Sequence, residues 1–224
     1  MISVVLPVLN EEDALPATLE AVFAQHHPGI EVVAVDGGSG DGTLGVLARY
    51  PRVRVIAAPR GRASQMNAGA ALAHGDILLF LHADTLLPAG GLAAIEDASR
   101  AEGFVYGGFH HRFSGRDWRL TLISMLHNLR CAITRIFYGD QAFFVSRRAF
   151  KAAGGFPRAQ VEDIALCEIL RREARPAFLA LRVVTSSRKF EAMGVWRSFA
   201  RVLAILLCLR FGRKPPAAFF ADIR

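Results

Sequence analysis

Residues 31–43 read Glu-Val-Val-Ala-Val-Asp-Gly-Gly-Ser-Gly-Asp-Gly-Thr, an apolar run that ends in a carboxylate and passes into a glycine-rich loop. The run at 31–36 has the continuous hydrophobicity of a β-strand that is covered on both faces, as in parallel sheets. Four glycines between Gly37 and Gly42 permit unusual backbone angles and the close approach of a ligand. A buried strand that delivers Asp36 to such a loop is typical of a ligand-binding α/β fold.

Similar apolar runs lie on both sides of this stretch, with helical patterns between them. Further strands are predicted at 2–8, 52–58 and 76–82, and helices at 14–25, 43–49 and 63–73. This βαβαβαβ order predicts an α/β fold with a doubly wound, mainly parallel sheet and flanking helices. Ligands of such folds bind beyond the carboxyl ends of the strands, so the residues that follow each strand are the candidates for function.

The second half of the chain is less regular. Strands are predicted at 104–113, 142–146 and 178–185, and helices at 118–135, 162–172 and 193–210, the last of them apolar with basic flanks. We expect a single domain over 1–224, with a first half at 1–112, a second half at 113–190 and a C-terminal helical segment at 191–224.

Composition and charge exclude several classes of protein. Hydrophobic residues make up 52% of the 224 positions, which excludes a disordered chain. The three cysteines lie far apart, which favours reduced thiols in a cytoplasmic protein over a disulfide framework. No signal-peptide pattern or membrane-spanning run is present.

The charge is divided unevenly along the chain. Residues 1–112 carry seven basic against 12 acidic residues, a net charge of −5, whereas residues 113–224 carry 20 basic against eight acidic ones, a net charge of +12. An anionic partner is therefore expected for the second half. No nucleic-acid-binding motif appears, so phosphates, anionic lipids or an acidic acceptor are the candidates.

Polar residues follow each predicted strand, and each can be interpreted either as structural or as part of a binding site. Asn10 and Glu11 follow Pro7 and either cap a helix or line a pocket. Arg62 lies at the N-terminus of the helix predicted at 63–73, where it is either a solvated surface residue or joins the free N–H groups in binding an anion. His82 and Asp84 follow the fourth strand, and this pair alone is weak evidence for a metal site. The His110-His111 pair is assigned a structural role.

Taken in order, these motifs resemble those of family 2 glycosyltransferases. The resemblance rests on Leu6-Pro7-Val8-Leu9-Asn10-Glu11-Glu12, Val35-Asp36-Gly37-Gly38-Ser39-Gly40-Asp41-Gly42-Thr43, Arg62 with Asn67-Ala68-Gly69, Phe80-Leu81-His82-Ala83-Asp84, Gly139-Asp140-Gln141, Gly154-Gly155-Phe156 and Glu162-Asp163. It covers roughly residues 2–190 and implies the GT-A fold with a nucleotide-diphospho-sugar donor. It also implies that 1–112 is the nucleotide-sugar half and 113–190 the acceptor half. His82 in place of the usual aspartate, together with the segment 186–194, is similar to a bacterial subgroup found beside radical-SAM genes.

The resemblance also implies a role for individual residues. Asp36 would hold the nucleobase, expected to be uracil, and Asp84 would bind the Mg²⁺ or Mn²⁺ that bridges the donor phosphates. Asp163 would be the catalytic base, with Glu162 as the chemical alternative. The implied substrate-binding residues are Pro7, Asn10, Glu11, Arg62, Asn67 and His82 on the donor side and Asp140 and Gln141 on the acceptor side.

The expected reaction is inverting transfer of a sugar from a nucleotide-diphospho-sugar to an acceptor hydroxyl. The rival interpretations are a sugar-1-phosphate nucleotidyltransferase, which would carry a basic glycine-rich loop after the first strand, and a nonenzymatic nucleotide- or membrane-binding module. The acceptor is unidentified, with lipid-linked and anionic molecules as candidates.

The C-terminal segment has an apolar stripe with Arg197, Arg201, Arg210, Arg213 and Lys214 around it. Pro215-Pro216 is expected to end the helix and let Phe219-Phe220 fold back. Peripheral contact with the inner face of the cytoplasmic membrane, packing on a second copy of the chain, and packing on the core remain open alternatives.

Overall fold

The computed structural model describes residues 1–157, 159, 161–211, 213, 215–216 and 219, and these residues fold around one β-sheet. The strands are β1 (Ile2–Val8), β2 (Ile30–Asp36), β3 (Val53–Ala57), β4 (Ile77–Phe80), β5 (Thr85–Leu86), β6 (Tyr106–Phe113), β7 (Phe144–Ser146) and β8 (Ala177–Thr185). The helices are α1 (Leu15–Phe23), α2 (Thr43–Leu47), α3 (Arg62–Leu72), α4 (Gly91–Ser99), α5 (Trp118–Thr134), α6 (Arg147–Ala152), α7 (Glu162–Leu170), α8 (Arg188–Ala192) and α9 (Val195–Arg210). A 3-10 turn spans Gly139–Gln141.

The strands lie in the order β3-β2-β1-β4-β7-β6-β8-β5. The first four are mutually parallel, and β6 is parallel to β8. β7 runs antiparallel to both β4 and β6, and β5 runs antiparallel to β8. The predicted α/β fold with a mainly parallel sheet is thus confirmed, and the carboxyl ends of β1, β2 and β4 meet at one edge.

Two apolar layers cover the sheet, one on each face. β1 is buried along its whole length, and its alternate side chains enter different layers. Val4 and Leu6 face the layer that contains α1 residues Leu15 and Leu19, whereas Val5 packs with Met66 of α3. Burial on both sides explains why the sequence of this strand is a continuous apolar run.

The predicted C-terminal helix begins two residues later than expected. Gly194 adopts a positive φ of 88°, and the short α8 ends just before it, so α9 starts at Val195 and not at Met193. α9 buries Val195, Ser198 and Ile205. The predicted contributions of Lys214 and Phe220 lie outside the described residues. None of the helices in the described part is long and apolar enough to cross a membrane.

Candidate active site

The glycine-rich loop after β2 is closed around the Asp36 carboxylate. Asp36 is 6% exposed, and its oxygens accept hydrogen bonds from the backbone N–H of Gly38 (3.0 Å) and from the backbone N–H (3.1 Å) and hydroxyl (2.6 Å) of Ser39. Gly38 has a φ of 91°, a backbone angle that residues other than glycine rarely adopt. The loop therefore holds Asp36 in one orientation at the strand end.

Asn10 joins this loop to the end of β1. Its backbone N–H donates to the Ser39 hydroxyl at 3.0 Å, and its side-chain oxygen accepts from the Gly40 N–H at 2.8 Å. The backbone N–H of Glu11 donates to the Thr43 hydroxyl at 2.8 Å. The segments that follow β1 and β2 thus form one hydrogen-bonded rim, next to the buried Pro7.

Gln65 is a positioning residue that the sequence did not reveal. Its side chain is buried in α3, and its amide nitrogen donates to the carbonyl oxygens of Val8 and Val35, each at 2.8 Å. One amide thereby holds the exits of β1 and β2 together. A polar residue within the buried stripe of a helix, one and four positions before Met66 and Gly69, is the signal that could have identified it.

Asn67 and Gln141 are both engaged with the backbone of the protein. The Asn67 amide exchanges two hydrogen bonds with the backbone of Phe156, at 2.8 and 2.9 Å, and so ties α3 to the Gly-Gly-Phe turn. Gln141 is fully buried; its amide nitrogen donates to the Phe109 carbonyl at 3.1 Å and its oxygen accepts from the Tyr138 N–H at 3.2 Å. Both amides are thus engaged with the backbone, and their predicted contact with substrate stays a prediction.

The N-termini of α3 and α7, about 100 residues apart in the sequence, meet at Arg62, Glu162 and Asp163. The Arg62 Nε lies 3.0 Å from a Glu162 carboxylate oxygen that is itself buried. Burial by itself would lower the pKa of the Arg62 guanidinium, but the surrounding carboxylates, led by Glu162 and Asp163, raise it above its usual value. Arg62 is therefore a permanent cation at the helix N-terminus, as an anion site requires.

Asp163 is buried at the start of α7, where it accepts a hydrogen bond from the Gly139 N–H at 2.9 Å. Burial raises the pKa of Asp163 to about 7, and the charge of Glu162 adds to this effect, while Arg62 and the Gly139 hydrogen bond oppose it. A carboxylate with a pKa in this range exchanges protons at physiological pH.

His82 lies against Gly139, and a Cβ at that glycine would collide with the imidazole ring. Burial, with the nearby Arg62 charge, lowers the pKa of His82 to about 4, so the ring is neutral at pH 7. Its Nε2 atom is buried and has no hydrogen-bond partner among the described residues.

Asp84 is held beside this ring by the short strand that follows it. Its backbone carbonyl accepts from the Ser186 N–H at 3.0 Å, and the next residue, Thr85, pairs with Thr185 of β8. No hydrogen bond or ion pair to the Asp84 carboxylate is found within the described part of the chain. The hydroxyl of Thr185 also donates to the Asp140 backbone carbonyl at 3.2 Å, and so connects the segment of Asp84 to that of Asp140.

Asp140 faces two histidines that were not assigned to the site. Its carboxylate oxygens lie 3.4 Å from the Nε2 of His127 and 3.7 Å from that of His111. Burial would raise the pKa of Asp140, but His127 and His111 together hold it below its usual range. Burial lowers the pKa of His111 itself to about 4. His127 occupies the buried side of α5 with Ser124 and Cys131, three and four positions away, a spacing that could have drawn attention to it.

Glu11 completes the rim opposite two basic residues of α8. Its carboxylate lies 3.7 Å from the Lys189 Nζ and 4.0 Å from an Arg188 nitrogen, and Arg188 also contacts Asp13 at 3.2 Å. Burial raises the pKa of Glu11, and Lys189 offsets part of that effect. Neither basic residue was predicted from the sequence as part of the site.

The family model described as Glycosyl transferase family 2 matches residues 3–153 of this chain. An uncharacterized glycosyltransferase of Mycobacterium tuberculosis is 40% identical over 92 residues, which cover 41% of this chain and 40% of that protein. A PGL/p-HBAD biosynthesis glycosyltransferase of the same species is 40% identical over 93 residues, covering 39% of this chain and 36% of that protein. The chain thus spans well under half the length of these curated relatives.

Solved structures resemble the whole architecture. A mannosyltransferase from Pyrobaculum calidifontis in complex with GDP-Man and Mn²⁺ superposes with a TM-score of 0.69 at 23% identity, covering 99% of this chain and 67% of that one. S. aureus TarS in complex with UDP-GlcNAc gives a TM-score of 0.63 at 18% identity, covering 83% of this chain and 58% of that one. At these identities the likeness shows the fold, which is of the GT-A type.

Proposed function

The chain belongs to glycosyl transferase family 2, and we propose that it transfers a sugar from a nucleotide-diphospho-sugar to an acceptor hydroxyl with inversion at the anomeric carbon. The observation that carries this proposal is the convergence of Arg62, Asp84 and Asp163 from distant parts of the sequence at one edge of the sheet. A cation, an unpaired carboxylate and a carboxylate with a raised pKa are the groups that this reaction needs.

The donor is proposed to bind over the rim formed by the segments after β1 and β2. A carboxylate offers about four acceptor positions, and the Ser39 N–H of the loop is shared between both Asp36 oxygens, at 3.1 and 3.2 Å. A uracil N–H would replace one of these two shared bonds. Pro7, Asn10 and Glu11 would line the base and ribose, and Arg62 would meet the diphosphate. Binding of GDP-Man or UDP-GlcNAc by proteins of the same fold supports a nucleotide-sugar donor.

The residues at the end of β4 fit a divalent cation that is shared with the donor. No group of three or more His, Cys, Asp or Glu in the described residues is arranged to hold a metal by itself. A cation bridging phosphates takes few protein ligands, and Asp84, with the neutral His82 beside it, would supply them. Such a cation, when bound, neutralises the charge of the leaving diphosphate.

Asp163 is proposed to act as the general base. It would accept the proton of the acceptor hydroxyl while the new carbon–oxygen bond forms at the anomeric carbon and the bond to the diphosphate oxygen breaks. General-base assistance is worth about 10²–10⁴ in rate. Glu162 serves this purpose less well because its carboxylate is paired with Arg62.

Asp140 is proposed to bind the acceptor. Its side chain is 29% exposed although His127 and His111 lie 3.4 and 3.7 Å from its oxygens, so the histidines would orient the carboxylate while it accepts a hydrogen bond from an acceptor hydroxyl. We also propose that residues 1–112 bind the donor, that residues 113–190 bind the acceptor, and that the protein acts in the cytoplasm. The acidic rim after β1 and the family membership together argue against the nucleotidyltransferase alternative.

A thermal-shift panel with UDP, GDP and CMP, each with and without Mn²⁺, tests donor binding. A ligand at about 100 times its Kd should stabilise the protein by roughly 2.7 kcal/mol. A donor-hydrolysis assay with nucleotide sugars then tests turnover in wild type, Asp163→Asn and Glu168→Gln, an exposed carboxylate of the same helix.

We expect Asp163→Asn to lose at least ~10²-fold in turnover with unchanged nucleotide stabilisation, and Glu168→Gln to behave as wild type. Absence of stabilisation by any nucleotide, or full turnover in Asp163→Asn, would contradict the proposal.

A further inference from the structure

Ten of the 16 exposed large apolar side chains in the described residues belong to α5, to α9 or to the position that ends α9. The helical period of 3.6 residues places those of α5 on one face, within an arc of about 100°. These six are Trp118, Leu122, Met125, Leu126, Leu129 and Ile133. Trp118 is 68% and Ile133 72% exposed, so the described residues leave both ends of this face open.

α9 carries a second stripe of the same kind. Trp196, Leu203, Leu207 and Phe211 follow one another at helical spacing, and Phe211 is 74% exposed. The indole rings of Trp118 and Trp196 meet edge to face with centroids 6.2 Å apart, so the two stripes join at their N-terminal ends. We call these two stripes together the docking face.

The helices are anchored through their other sides. Leu120 and Ile123 of α5 and Val195 of α9 are buried in one small apolar cluster with Phe113 of the sheet. The docking face therefore points away from a packed interior and is not an unfinished core. Single exposed apolar residues are common, but a contiguous patch of this kind marks an interaction surface.

The charges around the docking face favour an anionic partner. Neither α5 nor α9 contains an acidic residue, and Arg197, Arg210 and Arg213 are exposed on or just after α9. A two-fold contact between copies of the chain through this face would pair two basic patches, which opposes association. An anionic surface would neutralise them, and neither helix is long enough to cross a bilayer.

We propose that the docking face seats the protein on an anionic lipid bilayer, with α5 and α9 lying in the interfacial layer. The inner side of α5 carries His127, which faces Asp140, so the acceptor end of the proposed active site lies about one helix diameter, roughly 10 Å, from the lipid. An amphiphilic acceptor would reach the site from the bilayer. That last consequence rests on the proposed function, whereas lipid binding does not.

Co-sedimentation of the full chain with phosphatidylglycerol-containing vesicles and with pure phosphatidylcholine vesicles tests the proposal. The variant is Leu129→Glu/Ile133→Glu on α5. The matched control is Val55→Glu/Leu72→Glu, which adds the same charge at exposed apolar positions of β3 and α3. Thermal unfolding and UDP–Mn²⁺ stabilisation of each protein verify that the fold and donor site are intact.

We expect pelleting with anionic but not neutral vesicles, lost above about 0.5 M salt, where the Debye length is only a few Å. The α5 variant should lose ~10-fold or more in partitioning while the control retains it, and Arg197→Glu/Arg210→Glu should also weaken binding. No pelleting with anionic vesicles, equal pelleting of the α5 variant, or a wild-type dimer that the α5 variant abolishes would overturn the proposal. Each of these outcomes is independent of whether the donor assay succeeds.

Discussion

Replacing Glu162 by glutamine and, separately, Arg62 by glutamine should shift the acidic limb of the pH–rate profile in opposite directions. Burial and the Glu162 charge raise the pKa of Asp163, the Arg62 charge lowers it, and the net pKa is about 7. Without the Glu162 charge the pKa of Asp163 falls, so activity should persist to lower pH. Without the Arg62 charge that pKa rises, so the limb should move to higher pH.

The size of each shift follows from the electrostatics of a partly buried site. Two unit charges about 6 Å apart interact by roughly 3 kcal/mol at an effective dielectric constant of about 20. One pKa unit corresponds to about 1.4 kcal/mol. Because the Arg62 side chain is 32% exposed and its charge is partly screened, we expect a shift of about one to two units in either direction.

The assay is the pH dependence of kcat/KM for donor hydrolysis, with water as the acceptor, between about pH 5 and pH 9. Glu168→Gln on the same helix is the matched control and should keep the wild-type limb. Arg62→Gln should also reduce the amplitude through weaker donor binding, but the midpoint of the limb does not depend on amplitude. Limbs that stay at the wild-type position, or that move in the same direction in both variants, would refute Asp163 as the titrating base.

Three further results are expected. Asp84→Ala should lose the Mn²⁺-dependent part of UDP affinity with an unchanged melting temperature, and calorimetric titration showing wild-type affinity would exclude Asp84 as a ligand of the shared cation. His82→Asp should shift the activity ratio from Mn²⁺ toward Mg²⁺, because imidazole suits transition metals better than Mg²⁺, and an unchanged ratio in paired assays would mean that His82 does not touch the cation. Asp163→Asn should raise the melting temperature at pH 8 but not at pH 4. Because the pKa of Asp163 is raised to about 7, the protonated carboxylic acid is the form that stabilises the fold. This stabilisation is complete below about pH 4 and is lost as the pH rises through about 7, by at most about 4 kcal/mol. Scanning calorimetry at the two pH values measures this difference, and equal shifts at both would contradict it.

The sequence predicted those elements that carry a recognisable pattern of apolar residues within their own length. β1 and β2 are continuous apolar runs because both of their faces are covered, and each lies within one residue of its predicted bounds. β5 could not be predicted in this way. Thr85–Leu86 is a strand only because it pairs with Thr185 and Val184, 100 residues away. α8 was missed because five residues are too few to show a helical period.

The residues of the site also fall into two groups, those that the sequence pattern locates and those whose role depends on distant contacts. Residues that follow predicted strands, such as Asp36 and Asp84, could be found because the strand order fixes where they emerge. The positions of Gln65 and His127 on their helices could at most draw attention to them. The contacts of these two residues and of Lys189 could not be predicted, because each partner lies in another segment: the carbonyls of β1 and β2, Asp140 and Glu11. The sequence also implied substrate contacts for Asn67 and Gln141, whose amides are engaged with the backbone of Phe156 and Phe109.

The three polar contacts of α3 have a consequence for how the sequence can change over evolution. Arg62 pairs with Glu162, Gln65 with Val8 and Val35, and Asn67 with Phe156. One inserted or deleted residue before Gln65 within the helix would rotate the following residues by about 100° relative to those before it, so the three partners could not all be kept. Length variation should therefore collect outside α3, in the turn at 58–61 and the segment at 73–76, while α3 itself keeps a constant number of residues between Arg62 and Asn67.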